Sequence, residues 1–327
     1  MSPDEIIADL TAKGLLEPEQ AQAIGEYERT RPFSLHYELR TLLYLGITML
    51  SGGLGVLLYQ HLDDIGHGVI IAGLAAIMTA CFWYAFRHRR PFTWGLSTAP
   101  SVLPDYILLL GCLTFLTLEG YLQVQYGLFG SRYGLALILP AVLFFFLAYR
   151  FDHRGVLSMA ITALASWVGV SIAPVSAFTY NDFSSVDLSG SAVLLGLLLL
   201  GAGLASEQLD RKKHFAFTYI SLGGNLALLA ATAALFDYNH SVLAPFAAGL
   251  LILAISTFLI WYARRTHSYL FLLMGVVYGY MVVTYAFFVL LDTSSSDAFG
   301  LAMLYFPLST VGVVLLFINI KKILRLA

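Results

Sequence analysis

Ionisable and strongly polar side chains are costly inside apolar segments, where they serve chemistry or helix packing. Glu119 is the one acid that falls clearly within such a segment, seven residues short of the end of an apolar run over residues 105–126. A carboxyl at that depth could take up and release a proton or coordinate a cation. Its structural alternatives are pairing with tyrosine hydroxyls or reaching out toward the headgroups. Gln123 lies one turn further along the same run, and Asn225 falls near the middle of another, directly after Gly223-Gly224. Tyr121 and Tyr280 each follow a glycine in a recurring Gly-Tyr pair. Glu119, Gln123 and Asn225, with Tyr121 and Tyr280 as aromatic walls, are the side chains expected to line a substrate or ion path. Helix packing is the plainer role for Asn225. A weaker grouping is His61, Asp64 and His67, with Asp237 and His240 in another polar stretch. Imidazoles and carboxylates of this kind can bind a divalent metal, but the spacing matches no specific motif. Phosphate-binding glycine loops, nucleophile elbows and zinc-protease motifs are absent from the sequence, so no catalytic residue, no cofactor and no enzyme activity are read from it.

These residues must be positioned by membrane-spanning helices. With 59% hydrophobic and 12% charged residues, against roughly 25% charged in soluble domains, the chain does not read as a soluble globule. Its net charge of -2 offers no electrostatic support for nucleic-acid binding. Cys81 and Cys112 both sit inside apolar runs and form no C-x-x-C pair, so they read as small core residues. A bilayer core of ~30 Å needs about 20 helical residues. Apolar runs of that order recur at residues 41–60, 67–86, 105–126, 134–149, 155–174, 190–205, 215–236, 242–263, 268–291 and 299–320. The expected fold is therefore an all-α integral membrane protein with ten transmembrane helices.

Cytoplasmic loops retain positive charge during insertion, and the basic residues here are strongly partitioned. With the N-terminus inside, Arg87, Arg89, Arg90, Arg150, Arg154, Arg211, Lys212, Lys213, Arg264, Arg265, Lys321, Lys322 and Arg325 fall in inner connections or the C-terminal tail, and Arg132 alone falls outside. Both termini are expected in the cytoplasm, with the first span acting as an uncleaved signal anchor in a bacterial inner membrane. The same basic clusters could bind anionic lipid, though alternation at every loop favours a topology signal. Tyr59, Trp83, Tyr84, Tyr149, Trp261 and Tyr262 sit at span ends and read as an interfacial belt.

Ahead of the spans, Ser2-Pro-Asp-Glu5 is a capping-box start with Pro at the first helical position. Gly14 stops that helix, and Glu17-Pro18-Glu19-Gln20 opens a second that ends before Pro32. Residues 1–33 are thus expected to form a cytosolic helical hairpin with Ile6, Leu10 and Ile24 facing inward, and residues 34–327 the transmembrane domain. Two helices this short are marginal alone, so the hairpin should bury its stripe against a cytosolic protein partner, a second copy or the membrane domain.

The run Lys13-Gly-Leu-Leu-Glu-Pro-Glu-Gln20, a basic stretch, then Tyr44-Leu-Gly46 and Gly52-Gly-Leu-Gly55 resembles a family of bacterial polytopic membrane proteins of unknown function. In that family a "Gly-apolar-apolar-x-x-Glu-Gln" hairpin precedes the spans. The likeness covers roughly the first ninety residues; where the family has an Asn-Trp pair at the outer end of the first span, this chain has Gln60-His61. The resemblance implies architecture and location but no activity.

Motifs also recur within the chain. Gly120-Tyr121 followed by Gly134-Leu-Ala136 and Pro140 is matched by Gly279-Tyr280 followed by Gly300-Leu-Ala302 and Pro307. Ala72-Gly-Leu74 and Trp83-Tyr-Ala85 are matched by Ala248-Gly-Leu250 and Trp261-Tyr-Ala263. Both offsets are six spans, which preserves orientation and predicts a parallel repeat of helices 1–4 and 7–10. The functional expectation is a secondary transporter or lipid-handling translocator, with membrane lipids as its surroundings. The alternative is a non-transporting scaffold that recruits a partner through the hairpin.

Overall fold

The computed structural model describes residues 36–60, 66–96, 103–130, 132–172, 186–236, 243–290 and 296–320, together with Leu324 and, in the N-terminal segment, residues 11, 13, 14, 16, 17, 19–22 and 24. Among the described residues the regular structure is helical throughout. The chain divides into two units, residues 1–56 and 57–327.

In the first unit, Gly14 takes a left-handed φ of +66° and its N–H returns to the Thr11 carbonyl, a helix stop that glycine adopts without steric cost. The Glu17 N–H then donates to Gln20 Oε1 at 3.3 Å, so the glutamine side chain caps the start of the next helical stretch. The expected connection at Gly14 and the start at Glu17 are both found. Ile24, expected to face inward, is instead 41% exposed. A short apolar stripe is buried only if a second surface meets it, and the expected one, carrying Ile6 and Leu10, lies outside the described residues. Helix α1 (His36–Gln60) follows, with residues 36–56 in this unit.

The second unit holds α2 (His67–Arg87), α3 (Leu103–Tyr126), α4 (Leu135–Phe151), α5 (Arg154–Ile172), α6 (Val186–Gln208), α7 (Ala216–Leu235), α8 (Leu243–Thr266), α9 (Tyr269–Leu290) and α10 (Ser296–Ile318). Among the described residues, seven helical stretches are long and apolar enough to cross a membrane: α2, α3, α5, residues 188–208 of α6, α7 with the 3-10 turn before it, residues 245–266 of α8, and residues 269–289 of α9. Shorter apolar stretches occupy residues 41–53 of α1, α4, and residues 302–316 of α10. Large apolar side chains such as Val124, Val142, Leu198, Leu250 and Leu308 are exposed along these helices, as lipid-facing surfaces require.

Sequential helices pair as hairpins: α2 with α3, α4 with α5, α6 with α7, and α8 with α9. Two apolar cores result. One gathers Leu108, Cys112, Phe144, Leu147, Val156 and Leu157 from α3, α4 and α5; the other gathers Leu228, Ile252, Leu259 and Phe271 from α7, α8 and α9. The α6–α7 pair contributes to both and joins them. The segment containing α7 is 56% buried, against 17% for the α9 segment, so α7 is the enclosed helix of this unit.

The tight α6–α7 contact depends on missing side chains. A Cβ on Gly196 would lie 2.6 Å from the Ala227 nitrogen, and one on Gly223 would lie 2.8 Å from the Gly196 oxygen, so the two backbones touch there. Gly275 does the same for α9 against the Ser256 carbonyl of α8 at 2.7 Å.

Candidate functional site

Glu119 is 7% exposed, so its side chain does not reach out to the surface. It continues the α3 stripe of Leu108, Cys112 and Phe115, whose members pack in the first core. Its Oε1 is buried without a hydrogen-bond partner among the described residues. A buried polar atom left without a partner is costly, which makes Glu119 the conspicuous polar group of this core.

The other four expected path residues have local partners. Gln123 caps the α3–α4 connection: its Oε1 accepts from the Phe129 N–H at 2.9 Å and its Nε2 donates to the Gly130 carbonyl at 3.2 Å. The Tyr121 hydroxyl meets His67 Nδ1 at 2.7 Å, and Gln125 Nε2 meets His67 Nε2 at 3.2 Å. Both ring nitrogens of His67 are thereby occupied in tying α2 to α3. His61 and Asp64, the remaining members of the weak metal grouping, lie outside the described residues, as do Asp237 and His240. Asn225 Oδ1 accepts from the Tyr278 hydroxyl at 2.7 Å, joining α7 to α9. Tyr280 shares a hydrogen bond with Ser309 at 2.9 Å and joins α9 to α10. None of the five lines the groove described next or the small cavity at the opposite helix ends.

The first cavity is a groove of about 500 Å³ between α5, α6 and α7. Its walls are almost wholly apolar, with Val170, Leu188, Leu226, Leu229 and Ala230 among them and Ser166 and Ser189 as polar points. Ser189 is 3% exposed, and its Oγ has no partner among the described residues. The groove lies toward the C-terminal halves of α5 and α7 and the start of α6.

At the opposite ends of those helices three connections interlock around a buried charged cluster. Asp152 ends α4 in the left-handed region, at φ 61°, and Lys212 precedes the 3-10 turn at φ 51°. That conformation costs a lysine about 1–2 kcal/mol, and such strain persists where surrounding contacts fix it. The Lys212 N–H donates to the Trp94 carbonyl at 2.7 Å, and its Nζ donates to Asp152 Oδ1 at 2.8 Å. His214 Nε2 bonds to the same carboxylate oxygen. The side chains of Lys212, Asp152 and His214 are 2%, 6% and 8% exposed. Lys212 also stands 5.2 Å from the centre of the Phe92 ring, while Arg211 lies 5.1 Å over Trp94. His153 sets the tight α4–α5 turn by accepting the Val156 N–H on Nδ1 at 3.1 Å. Lys212, counted above among the basic residues of the inner connections, is therefore a buried ion-pair partner. Its carboxylate is sixty residues distant, and no motif marks the pair.

The same end collects further links. The Tyr262 hydroxyl donates to Glu207 at 2.8 Å, and His267 Nδ1 meets the Leu324 carbonyl at 2.7 Å. The connections rich in Lys and Arg thus meet at one end of the second unit. Tyr262 turns inward, and Tyr149 bonds Tyr219 at 3.0 Å, so neither serves the expected belt; Trp83 and Trp261 are exposed as that belt requires.

Fold and surface together define a polytopic helical membrane protein. Residues 8–157 match the model of the family described as "Predicted membrane protein (DUF2157)". This match extends the family likeness beyond the first ninety residues, through Glu119 on α3 to Asp152 and the start of α5. No curated protein and no solved structure matches the chain.

Proposed function

We propose that the protein is a lipid-handling translocator of the bacterial cytoplasmic membrane, with ten spans and both termini in the cytoplasm. The observation that carries this reading is the groove between α5, α6 and α7. Its volume of about 500 Å³ falls within the ~300–1,000 Å³ of small-ligand pockets, yet its lining suits an acyl chain better than a hydrated solute. The surrounding helix surface is itself apolar, with Leu194, Leu198 and Leu229 exposed, so a lipid chain could enter sideways without crossing water. Glu119 supplies an ionisable group in the neighbouring core to couple movement to a proton or cation.

Among the described residues, helices overlie each of the ten expected runs, seven of them long and apolar enough to cross a membrane, and the meeting of the basic connections at one end supports a single cytoplasmic face. The parallel repeat draws support from Pro140 and Pro307, which lie inside α4 and α10, six spans apart.

The test is transbilayer movement of a fluorescent phospholipid in proteoliposomes under an imposed pH gradient. Wild-type protein should accelerate movement over protein-free vesicles, and Ala230→Trp, which fills the groove, should slow it severalfold. Glu119→Gln should insert and fold yet lose the dependence on the gradient. Wild-type vesicles indistinguishable from protein-free ones, with and without the gradient, would overturn the reading.

A further inference from the structure

The basic end of the second unit carries a second cavity, of about 20 Å³, between the α2–α3 connection, the α4–α5 turn and Lys212. That volume is enough for about one water, so a ligand here presents a small group at the mouth and keeps its bulk outside. Four cationic side chains line it, Arg89, Arg90, Arg150 and Lys212, against two carboxylates, Asp105 and Asp152. The carboxylates have cationic neighbours within the cluster: Asp152 holds Lys212 and His214, and Asp105 stands 3.8 Å from Arg90. Arg150 commits one N–H to the Arg90 carbonyl at 2.9 Å, and Arg89 is exposed. The wall therefore presents a positive excess from connections sixty residues apart in sequence.

A topology signal requires only that inner loops be basic. It does not require that they be locked together through a buried Lys212 or that their guanidinium groups share a cavity. Beside the cations, the same connection exposes Phe92 at 46%, Trp94 at 49% and Leu96 at 63%. Apolar rings and an aliphatic chain beside arginines suit the boundary between headgroups and acyl chains, where the rings insert and the guanidinium groups meet phosphates.

We propose that the mouth of this cavity is a binding site for the phosphate of an anionic phospholipid headgroup, with Arg89 and Arg150 as its principal donors and Phe92, Trp94 and Leu96 seated among the lipids around it. The site lies at the opposite helix ends from the groove and goes beyond the translocation reading, so either can fail alone.

The test uses the delipidated full-length protein in detergent, titrated with short-chain phosphatidylglycerol or phosphatidylcholine and read by native mass spectrometry. Phosphatidylglycerol should bind about tenfold more tightly or better, because both lipids carry the phosphate but the quaternary ammonium of phosphatidylcholine cancels its charge and meets the two arginines with like charge. The Arg89→Gln/Arg150→Gln variant should lose that preference. The Arg264→Gln/Arg265→Gln variant, which removes the same charge from another connection, should retain it. An equal loss in both variants would reduce the effect to general surface charge and overturn the site, as would a preference that survives in the first. Should the Arg150 change impair folding, Arg89→Gln alone should weaken phosphatidylglycerol binding, and unchanged binding would overturn the proposal. Inorganic phosphate is titrated in parallel. If it binds wild type but not the double variant, with no lipid preference, the site belongs to a soluble anion and the lipid assignment falls.

Discussion

Lys212 combines a left-handed backbone, near-complete burial and an ion pair with Asp152. Breaking one partner of a buried pair leaves the other charge without compensation, typically a loss of about 3–5 kcal/mol. Lys212→Met should accordingly lower the thermal unfolding temperature in detergent sharply, because Asp152 would lose the buried ammonium that compensates its charge. Adding Asp152→Asn should recover much of the loss, since asparagine is neutral and tolerates the left-handed region. Equal unfolding temperatures for wild type and Lys212→Met would show that the pair contributes nothing. This cluster was not legible in the sequence, because burial of Lys212 depends on Trp94, Asp152 and Phe215 converging from three connections. Glu119 was legible, since a lone acid in an apolar run is conspicuous whatever surrounds it. Its missing partner was not, because that depends on which side chains the neighbouring helices bring to it.

At the scale of helices, the adjacent glycines of α7 make opposite predictions. Gly223→Ala would drive a Cβ to within 2.7 Å of Leu199 Cβ and 2.8 Å of the Gly196 carbonyl oxygen. Overpacking of that kind costs about 1–3 kcal/mol even where side chains can yield, and here backbone would have to move. Gly224→Ala meets its nearest atoms at 3.8–3.9 Å, ordinary contact, and gains helix propensity of up to about 1 kcal/mol. Thermal unfolding should place Gly223→Ala well below wild type and Gly224→Ala at or above it; the reverse order would contradict the α6–α7 contact. The sequence marked the glycine pair as a packing feature without saying which glycine touches, because that depends on the rotation of α7 against α6. Helix positions were more readable, as hydropathy reports them directly: the run at 134–149 became Leu135–Phe151. Ends were less so, and α6 starts at Val186 rather than 190, because polar Asp187 and Ser189 belong to its first turns.

At the scale of the whole chain, sidedness separates the translocator from any account with the basic end outward. The connections containing Arg89, Arg150, Lys212 and His267 are linked to one another by hydrogen bonds or ion pairs, so they must share one face of the membrane. In the orientation proposed above, the Lys and Arg they carry, against Arg132 alone in the other connections, put that face in the cytoplasm. Single cysteines read this directly with a thiol reagent that does not cross membranes. His214 is a poor position, because its side chain is 8% exposed and holds Asp152. Asp210 and Lys213, with side chains 83% and 64% exposed, are better. The native thiols should stay silent, since Cys81 and Cys112 are both buried, so wild type serves as the background. Cysteines at Ser185 and Ser295 should label in intact cells, and cysteines at Asp210 and Lys213 only after permeabilisation. Labelling of Lys213→Cys in intact cells with Ser295→Cys protected would invert the protein and move the phosphate site to the outer leaflet. Labelling of both in intact cells would mean that an even number of crossings separates the two positions, against the three that α7, α8 and α9 supply in the ten-span arrangement, and would end that arrangement.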